Sequence, residues 1–342
     1  MNKSIIIFVC SFLVICCGSR SEDAVSVGVE EALALTDTVR MTSVKSELPI
    51  LVPARLFIAA NHLVLYQAQV EKRFQVYDLP LTGKCFSAGM IGRGPDEFIE
   101  PDAGSMVGCD GGFFVADQDA FKTVEILDST VKVTSKIPVS TDGTTLNGVI
   151  KVKDKYVNVD VYAMTSGYNP EGPRQFQVIG TDGVEKRIAE LPNWNDNDDN
   201  IIRYFASIVA NPDDNVFAAF YGFNFRKIRY YSLDGDLLKE VSADFPDNSI
   251  HQSEERFMTY GRSFASKNRI VVICNNYSQM SRDKAPDYSE FQVWDWDGHL
   301  IHRLIVPMKF GIYTVDFSTG TLYATSSEFE DEIFYSDISE YL

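Results

Sequence analysis

Side chains that could act as acids, bases or metal ligands are few in this sequence and form no catalytic motif. The sequence contains four histidines: His62, His251, His299 and His302. They fit neither a His-x-His nor a His-Glu-x-x-His pattern, and we interpret all four as surface or packing residues. A Gly-x-Ser-x-Gly nucleophile elbow is also absent from the sequence. The residue pattern therefore predicts no catalytic residue and no metal site.

One acidic run has the oxygen-rich composition that calcium prefers. It covers Asn193–Asn200. An EF-hand loop needs Gly at its sixth position and Glu at its twelfth. Here Ile201 stands where the Gly is needed, and Ala206 or Ser207, depending on the register, stands where the Glu is needed. We therefore predict a solvated loop and a protein without a cofactor. A bound calcium ion is the alternative.

The charge balance excludes some classes of partner. The 342 residues include 31 Lys and Arg against 48 Asp and Glu, a formal net charge of −17. Nucleic acids and anionic lipid head groups both require a basic face, so neither is predicted as a main partner. The composition, 45 % apolar and 23 % charged, is that of a globular chain.

The N-terminus has the pattern of an export signal. Lys3 precedes the apolar stretch Ile5–Ile15, which is too short to cross a bilayer, a task that takes about 20 residues. A cysteine directly after such a stretch resembles the lipobox of bacterial lipoproteins, in which the thiol receives a diacylglyceryl group. We assign lipidation to Cys17, because a bulky residue precedes Cys16.

This assignment divides the chain into segments. We predict a lipoprotein signal peptide over 1–17, a tether over 18–31 and one domain over 32–342. The expected location is the bacterial outer membrane, periplasmic or surface-exposed, with the lipid as the only membrane contact. An ordinary signal peptide cut nearby, or a short membrane anchor, is the alternative. The domain keeps three cysteines, which we interpret as buried thiols, with a bridge between the first two left open: Cys85, Cys109 and Cys274.

The domain repeats a unit of about 52 residues. Each unit has a short β-rich run, a turn, a second run, a loop, a third run and a hairpin. The second runs are Leu63–Tyr66, Phe113–Ala116, Tyr156–Val159, Val216–Ala219, Ile270–Ile273 and Leu322–Thr325. The third runs end at Asp78, Asp128, Asp182, Asp234, Asp297 and Asp337. In three of these units Gly follows the Asp, and Asp-Gly supplies the positive φ angles of a tight hairpin.

Four strands repeated radially make a propeller blade. We therefore predict an all-β, six-bladed β-propeller with four-stranded antiparallel blades; a seven-bladed ring or a pair of β-sandwiches is the alternative. The last unit lacks room for a fourth strand, so we predict that Ala32–Val44 adds it and closes the ring. The β-like stretches of this segment are Ala32–Leu35 and Val39–Met41. The one predicted helix covers Ser253–Tyr260.

A glycine-rich segment lies between the first and second units: Gly92, Arg93, Gly94, Pro95, Asp96, Glu97 and Phe98. With the lipobox and the six units, it resembles the TolB-like six-bladed propeller lipoproteins of Bacteroidetes, which often carry Gly-x-Gly-Pro-Gly-Glu-Phe. The resemblance implies fold and location, since that family has no settled activity. The glycines and Pro95 permit a sharp re-entry with Phe98 packed beneath. In the other interpretation, Arg93, Asp96 and Glu97 present charges on a binding face.

Propeller geometry predicts where a ligand would bind. The inner strands begin around the channel on the face that also carries the loops between blades. The candidate ligand-binding residues near those starts are Arg55, Asp102, Asn147, Arg203, Tyr204, Arg262 and Tyr313. The longest loops on this face cover 164–174 and 276–290. Arg and Tyr often anchor binding surfaces, so the mouth would hold a peptide, a glycan or an acidic metabolite, unless these residues only cap the pore through salt bridges.

Two functions follow from this reading. The first is a non-enzymatic binding or scaffold lipoprotein of the cell envelope, with a protein, peptide or glycan partner. The alternative is a calcium-dependent hydrolase or lactonase with its site in the central channel, using Asp102, Asn147 and Asp316 as ligands.

Overall fold

The computed structural model describes residues 24–118, 120–140, 145–161, 174–180, 182–190, 204–223, 226–243, 257–279 and 285–342. These residues form six sheets, each of them one blade around a central channel. The prediction of an all-β, six-bladed propeller is confirmed.

Three short strands and a helix precede the first blade. They are β1 (Ala24–Val27), α1 (Val29–Ala34), β2 (Thr36–Thr38) and β3 (Thr42–Lys45). Helix α1 occupies most of the stretch predicted as β-like, Ala32–Leu35, and that prediction was wrong. Acidic residues fill its first turn and Ala32 is its buried residue, an arrangement that suits one helical face and not a strand. In the part of the chain described, no helix is long and apolar enough to cross a membrane.

Blades 1 to 3 each consist of four antiparallel strands, and the chain runs outward from the channel in each. Blade 1 contains β4 (Pro53–Ala59), β5 (His62–Gln67), β6 (Lys72–Asp78) and β7 (Cys85–Met90). Blade 2 contains β8 (Val107–Cys109), β9 (Gly112–Asp117), β10 (Ala120–Ile126) and β11 (Val131–Pro138). Blade 3 contains β12 (Ile150–Val152), β13 (Lys155–Val159), β14 (Arg174–Gly180) and β15 (Gly183–Glu190).

Blades 4 to 6 follow the same path. Blade 4 contains β16 (Ala206–Ala210), β17 (Val216–Tyr221), β18 (Lys227–Ser232) and β19 (Leu237–Ala243). Blade 5 contains β20 (Phe257–Ala265), β21 (Ile270–Ser278), β22 (Ser289–Trp294) and β23 (Leu300–Val306). Blade 6 contains β24 (Ile312–Asp316), β25 (Thr321–Thr325) and β26 (Glu332–Asp337). All six predicted second runs coincide with second strands.

The N-terminal strands attach to three successive blades. Strand β1 pairs in parallel with β19 of blade 4, and β2 pairs in parallel with β23 of blade 5. Strand β3 pairs antiparallel with β26 and becomes the fourth strand of blade 6. The predicted closure by an N-terminal strand is confirmed, although the strand begins at Thr42, after the stretch Val39–Met41. Val39 is instead buried in the cluster between blades 5 and 6, and its N–H donates to the Ile305 carbonyl at 2.9 Å.

The hydrophobic core lies between the blades. Six clusters of buried side chains occur among the described residues, and each joins one pair of neighbouring blades, including the pair of blades 6 and 1. Aromatic pairs such as Phe176 and Phe217, whose centroids lie 5.1 Å apart, interlock blades 3 and 4. The ring is therefore closed by packing as well as by β3.

The predicted helix Ser253–Tyr260 was wrong over its last four residues, which begin strand β20. Met258 pairs with Tyr277 of β21, and Tyr260 is buried between blades 4 and 5. Cross-strand pairing and burial outweigh local helix propensity here. The first part of that stretch, residues 253–256, lies outside the described residues.

Candidate functional site

A cavity of about 1380 Å³ occupies the central channel and is lined by all six inner strands. We call the end at which these strands begin the upper mouth, and the other end the lower mouth. Its basic lining residues are Arg55, Arg262, Lys151 and Lys153, and its acidic ones are Asp102, Asp110 and Asp316. The channel wall thus lacks the acidic excess of the chain as a whole.

A β-bulge places Arg55 at the upper mouth. The register of β4 against β5 moves from Pro53 opposite Gln67 to Arg55 opposite Tyr66, so one extra residue precedes Arg55. Pro53 lacks an N–H group and tolerates this interruption at the start of the strand. A bulge bends its strand and re-aims the following side chain, here into the channel.

A second bulge places Arg262 on β20. Tyr260 and Ser263 both keep their pairing with β21, so Gly261 and Arg262 together face the single residue Ile273. A Cβ atom at position 261 would lie 2.5 Å from the Ile273 side chain, which explains why glycine occupies it. The channel therefore receives both of its arginines from irregular points of inner strands.

The guanidinium of Arg55 is almost fully enclosed by protein. The residue is 6 % exposed, and its guanidinium carbon lies 4.4 Å from the centre of the Phe264 ring. Nη2 donates to the Met106 carbonyl at 3.3 Å, whereas Nε and Nη1 are buried with no partner in the described part of the chain. Burial, and next the positive charge of Arg262, lower the pKa of Arg55 well below its ordinary value.

Arg262 lies close by on blade 5. Its Nη1 donates to the Ala103 carbonyl at 3.0 Å, and burial lowers the pKa of its guanidinium. The hydroxyl of Tyr313 donates to the carbonyl of Arg262 at 2.5 Å. Tyr313 is 3 % exposed and does not line the cavity, so it supports the bulge from behind.

Asp102 and Asn147 lie near the same mouth on the loops before β8 and β12. The carboxylate of Asp102 accepts the Gly104 N–H at 2.9 Å and the Gly148 N–H at 2.8 Å, so it ties the two loops together. Burial raises the pKa of Asp102. The Asn147 N–H donates to Asn158 Oδ1 at 2.7 Å, and Asn147 lines the cavity.

The structure does not bring the three proposed calcium ligands together. Asp316 is the last residue of β24, and its carboxylate accepts the hydroxyls of Ser318 at 2.6 Å and Thr319 at 2.8 Å in the following turn. At about 3.3 Å per residue, the length of β24 separates Asp316 by about 13 Å from the mouth that Asp102 and Asn147 occupy. Over the residues described, no group of three or more His, Cys, Asp or Glu is placed to hold a metal ion.

The remaining predicted site residues lie elsewhere. Tyr204 is 1 % exposed in the cluster between blades 3 and 4 and does not line the cavity. The predictions that fall on Cys17, Arg203, Asn193–Asn200, residues 164–173 and residues 280–284 lie outside the described residues. The second predicted loop, 276–290, was too long, because cross-strand pairing extends β21 to Ser278 and begins β22 at Ser289. The three cysteines of the domain are all free thiols. Cys274 is buried as predicted, whereas the interpretation of Cys109 as a buried thiol was wrong, because that residue ends the short strand β8 and is exposed.

The glycine-rich segment folds around the side chain of Glu97. The Glu97 carboxylate accepts the Gly94 N–H at 2.6 Å. A Cβ atom on Gly92 would overlap this carboxylate, and one on Gly94 would lie 2.8 Å from its carbon. The two glycines therefore make room for Glu97, which supports the re-entry interpretation for these three residues.

The other end of the segment packs between blades 1 and 2. Phe98 is fully buried and its ring centre lies 5.1 Å from that of Phe74. Asp96 accepts the N–H of Val133, in the outer strand of blade 2, at 2.8 Å. Arg93 is the exposed cation of the segment.

The two bulges and the aromatic ring that contacts Arg55 and Tyr313 are features of the site that no prediction from the sequence included. An isolated glycine within a strand pattern is a known sign of a bulge, and Tyr260-Gly261-Arg262 carries that sign. Phe264 contacts both the Arg55 guanidinium and the Tyr313 ring, 5.1 Å away. Its position two residues after Arg262 gave no signal of its own.

Together, the closed ring and its charged axial channel define a six-bladed β-propeller with a candidate binding cavity. The TolB-like 6-blade propeller family matches residues 35–318 of the sequence. The chain therefore belongs to this family, as its glycine-rich segment and six repeats predicted.

A solved structure shows the same fold at low sequence identity. A Bacteroides fragilis protein that is described as exported superposes with a TM-score of 0.53 at 9 % identity, over 91 % of this chain and 98 % of its own. A streptogramin B lyase gives a TM-score of 0.46 at 9 % identity, over 86 % of this chain and 96 % of its own. At this identity the first likeness extends to the fold alone. No curated protein matches the sequence.

Proposed function

We propose that this protein is an exported, lipid-anchored envelope protein that binds a partner in the upper mouth of its channel without catalysing a reaction. One observation carries the proposal: a cavity of about 1380 Å³ presents two arginines, delivered by bulges, next to backbone loops. Cavities of this size accommodate a ligand or a segment of a partner. One fold can host many unrelated functions, so the residues and not the fold identify the site.

The sequence and the comparisons support the envelope location. The apolar N-terminal core followed by Cys17 fits a bacterial lipoprotein, and the Bacteroides fragilis protein with the same fold is named as exported. A net charge of −17 argues against attachment to anionic lipid by a basic surface, which leaves the lipid anchor as the expected membrane contact in the outer membrane, periplasmic or surface-exposed.

Affinity capture from native membranes, followed by a glycan array, tests the binding function. A channel variant, Ala103→Trp, places an indole at a cavity-lining position, and Ile137→Trp places the same group on the outer strand of blade 2, where the side chain is 40 % exposed. We expect the wild type and Ile137→Trp to retain the same protein or glycan, and Ala103→Trp to lose it. Equal capture by all three proteins would place the binding surface outside the channel.

The same proteins test the enzymatic alternative. Calorimetric titration with CaCl₂ should give no saturable binding to the channel, because its carboxylates are divided between the two mouths. Micromolar calcium binding that Asp102→Asn abolishes would instead favour the hydrolase.

Lipidation is tested at the two adjacent cysteines. We expect Cys17→Ala to abolish labelling by a palmitate analogue and to move the protein into the aqueous phase of a detergent partition. Cys16→Ala, the matched control, should be labelled normally. The reverse pattern would show that Cys16 carries the lipid. If neither the wild type nor the control is labelled, the lipoprotein assignment is refuted.

A further inference from the structure

The upper mouth carries an excess of positive charge, because the guanidinium groups of Arg55 and Arg262 face the single carboxylate of Asp102 among the described lining residues. Neither Arg55 nor Arg262 forms an ion pair within the described ranges. Asp102 is the acidic lining residue of this end, and backbone N–H groups of Gly104 and Gly148 occupy its two oxygens. Two guanidinium groups therefore share one carboxylate that is already engaged.

An enclosed arginine without a counter-charge is unusual. Buried charges in proteins are almost always paired, because moving a charge out of water is costly unless an opposite charge or hydrogen bonds replace the solvent. Arg55 is 6 % exposed, and two of its three nitrogens have no partner in the described residues. Such a group fits a site that a ligand completes.

The surroundings of the arginines strengthen their attraction for an anion. The Phe264 ring covers one face of the Arg55 guanidinium, and the low local dielectric of such a wall increases electrostatic attraction. Both residues lie on β-bulges, which often occur beside active and binding sites. The Tyr313 hydroxyl holds the Arg262 backbone in place, so the second guanidinium is positioned in advance of binding.

An apolar rim lies farther up the same wall. The cavity lining includes Phe205, Phe223 and Met258 at the upper mouth, and Phe223 forms a β-bridge with Met258. Met258 precedes Arg262 by four residues on β20, which corresponds to about 13 Å of strand. An extended chain of about four residues covers this distance. A chain end of a peptide would thus reach the arginines while an upstream side chain contacts the rim.

We propose that the upper channel binds the free C-terminal carboxylate of an extended peptide, with the Arg55–Arg262 pair receiving the carboxylate and the apolar rim receiving a side chain about three residues upstream. This inference rests on the proposed binding function and specifies its ligand. The apolar rim favours a peptide over an acidic sugar, whose ring would present hydroxyl groups there.

Calorimetry with a defined probe tests the proposal. The probe is N-acetyl-Phe-Ala-Ala-Ala with a free carboxylate, compared with its C-terminal amide and with glucuronate at one ionic strength. We expect saturable binding of the free acid and binding of the amide at least about tenfold weaker, since charge-assisted hydrogen bonds are lost. Arg55→Met and Arg262→Gln should each weaken binding of the free-acid peptide by about tenfold or more, and substitution of the exposed Arg93 by Gln should not.

Three results would overturn the proposal: equal binding of acid and amide, binding of glucuronate but not of the peptide acid, or no saturable binding of any probe. A stability measurement separates a ligand-binding role from a structural one. Arg55→Met should unfold at the same or a higher urea concentration than the wild type, because it removes an uncompensated buried charge and keeps a contact with Phe264. Clear destabilisation would indicate a structural arginine.

The failure of this inference is distinguishable from failure of the binding function. If affinity capture succeeds with the wild type and equally with the Arg55→Met and Arg262→Gln variants, the protein is a binding propeller whose ligand does not use the arginines. If capture depends on them, the carboxylate assignment is supported.

Discussion

The buried ion pair of Lys122 and Asp117 should contribute strongly to the stability of the junction between blades 1 and 2. The two groups lie 2.5 Å apart with side chains 3 % and 0 % exposed. Lys122 also donates to the Glu97 carbonyl at 2.7 Å, and Asp117 accepts the N–H of Ile99 at 3.1 Å and of Glu100 at 2.6 Å. The pair thus anchors the segment that follows the glycine-rich turn.

Lys122→Met removes one charge and keeps the aliphatic volume. The Asp117 carboxylate would keep its backbone donors but lose its counter-charge, and breaking one side of a buried pair costs about 3–5 kcal/mol. Asp117→Asn should also destabilise, and the double variant should be more stable than the sum of the two losses implies, since no unpaired charge remains.

Urea unfolding followed by circular dichroism measures these free energies of unfolding. The matched control is Lys186→Met, since Lys186 and Asp234 form an ion pair of 2.7 Å with side chains 38 % and 85 % exposed. Its loss should cost less than about 1 kcal/mol. The reasoning fails if Lys122→Met costs no more than this control, or if the two single losses simply add in the double variant.

Three further changes test separate features of the ring. Burial acts to raise the pKa of Glu240, but hydrogen bonds from two basic side chains of β18 outweigh it and lower that pKa. Glu240→Gln should therefore destabilise the protein by on the order of 1 kcal/mol at pH 7. Urea unfolding at several pH values should show the difference between variant and wild type disappearing as the pH falls below the ordinary glutamate value of 4.5. A difference that grows in acid would contradict this. Gly108→Ala places a Cβ atom against the backbone of β4 and should cost about 1–3 kcal/mol. Gly28→Ala has open space around its Cβ atom but lies at the N-cap of α1, where alanine is a poorer residue than glycine, so it should cost less than about 1 kcal/mol in the same assay. Equal effects would be inconsistent with close packing of the inner strands. Tyr313→Phe removes the hydrogen bond to the Arg262 carbonyl and should lower the free energy of unfolding by about 1 kcal/mol. It should also weaken binding of the free-acid peptide in calorimetry. Unchanged affinity would show that the bulge does not need this hydrogen bond.

Much of the fold could be predicted because its determinants are local and repeated. The second strands recur at intervals of 43 to 61 residues. The Asp-Gly turns at Gly183, Gly235 and Gly298 adopt the positive φ angles that such turns require, at 115°, 95° and 81°. The closing role of the N-terminal segment followed from counting strands. Its details did not, because the parallel pairing of β1 and β2 with blades 4 and 5 depends on outer edges that form only when those blades are folded.

The shared placement of four candidate residues followed from the same repeat, whereas their role in binding stays a prediction. Strand starts around a channel can be inferred from a repeat, and Arg55, Asp102, Asn147 and Arg262 do line one cavity. The sequence could not show that Tyr204 points into a core, since tyrosine at a strand start suits either environment.

The sequence by itself determined the number of blades and the acidic charge, since each depends on composition or on short-range pattern. Only the tertiary structure decided which charges remain unpaired. Asp102, Asp117 and Asp316 look alike in the sequence, yet one ties two loops, one pairs with Lys122 and one completes a turn. Because folding places two guanidinium groups, Arg55 and Arg262, beside the one carboxylate of Asp102, the upper mouth has an excess of positive charge that no count of residues could reveal.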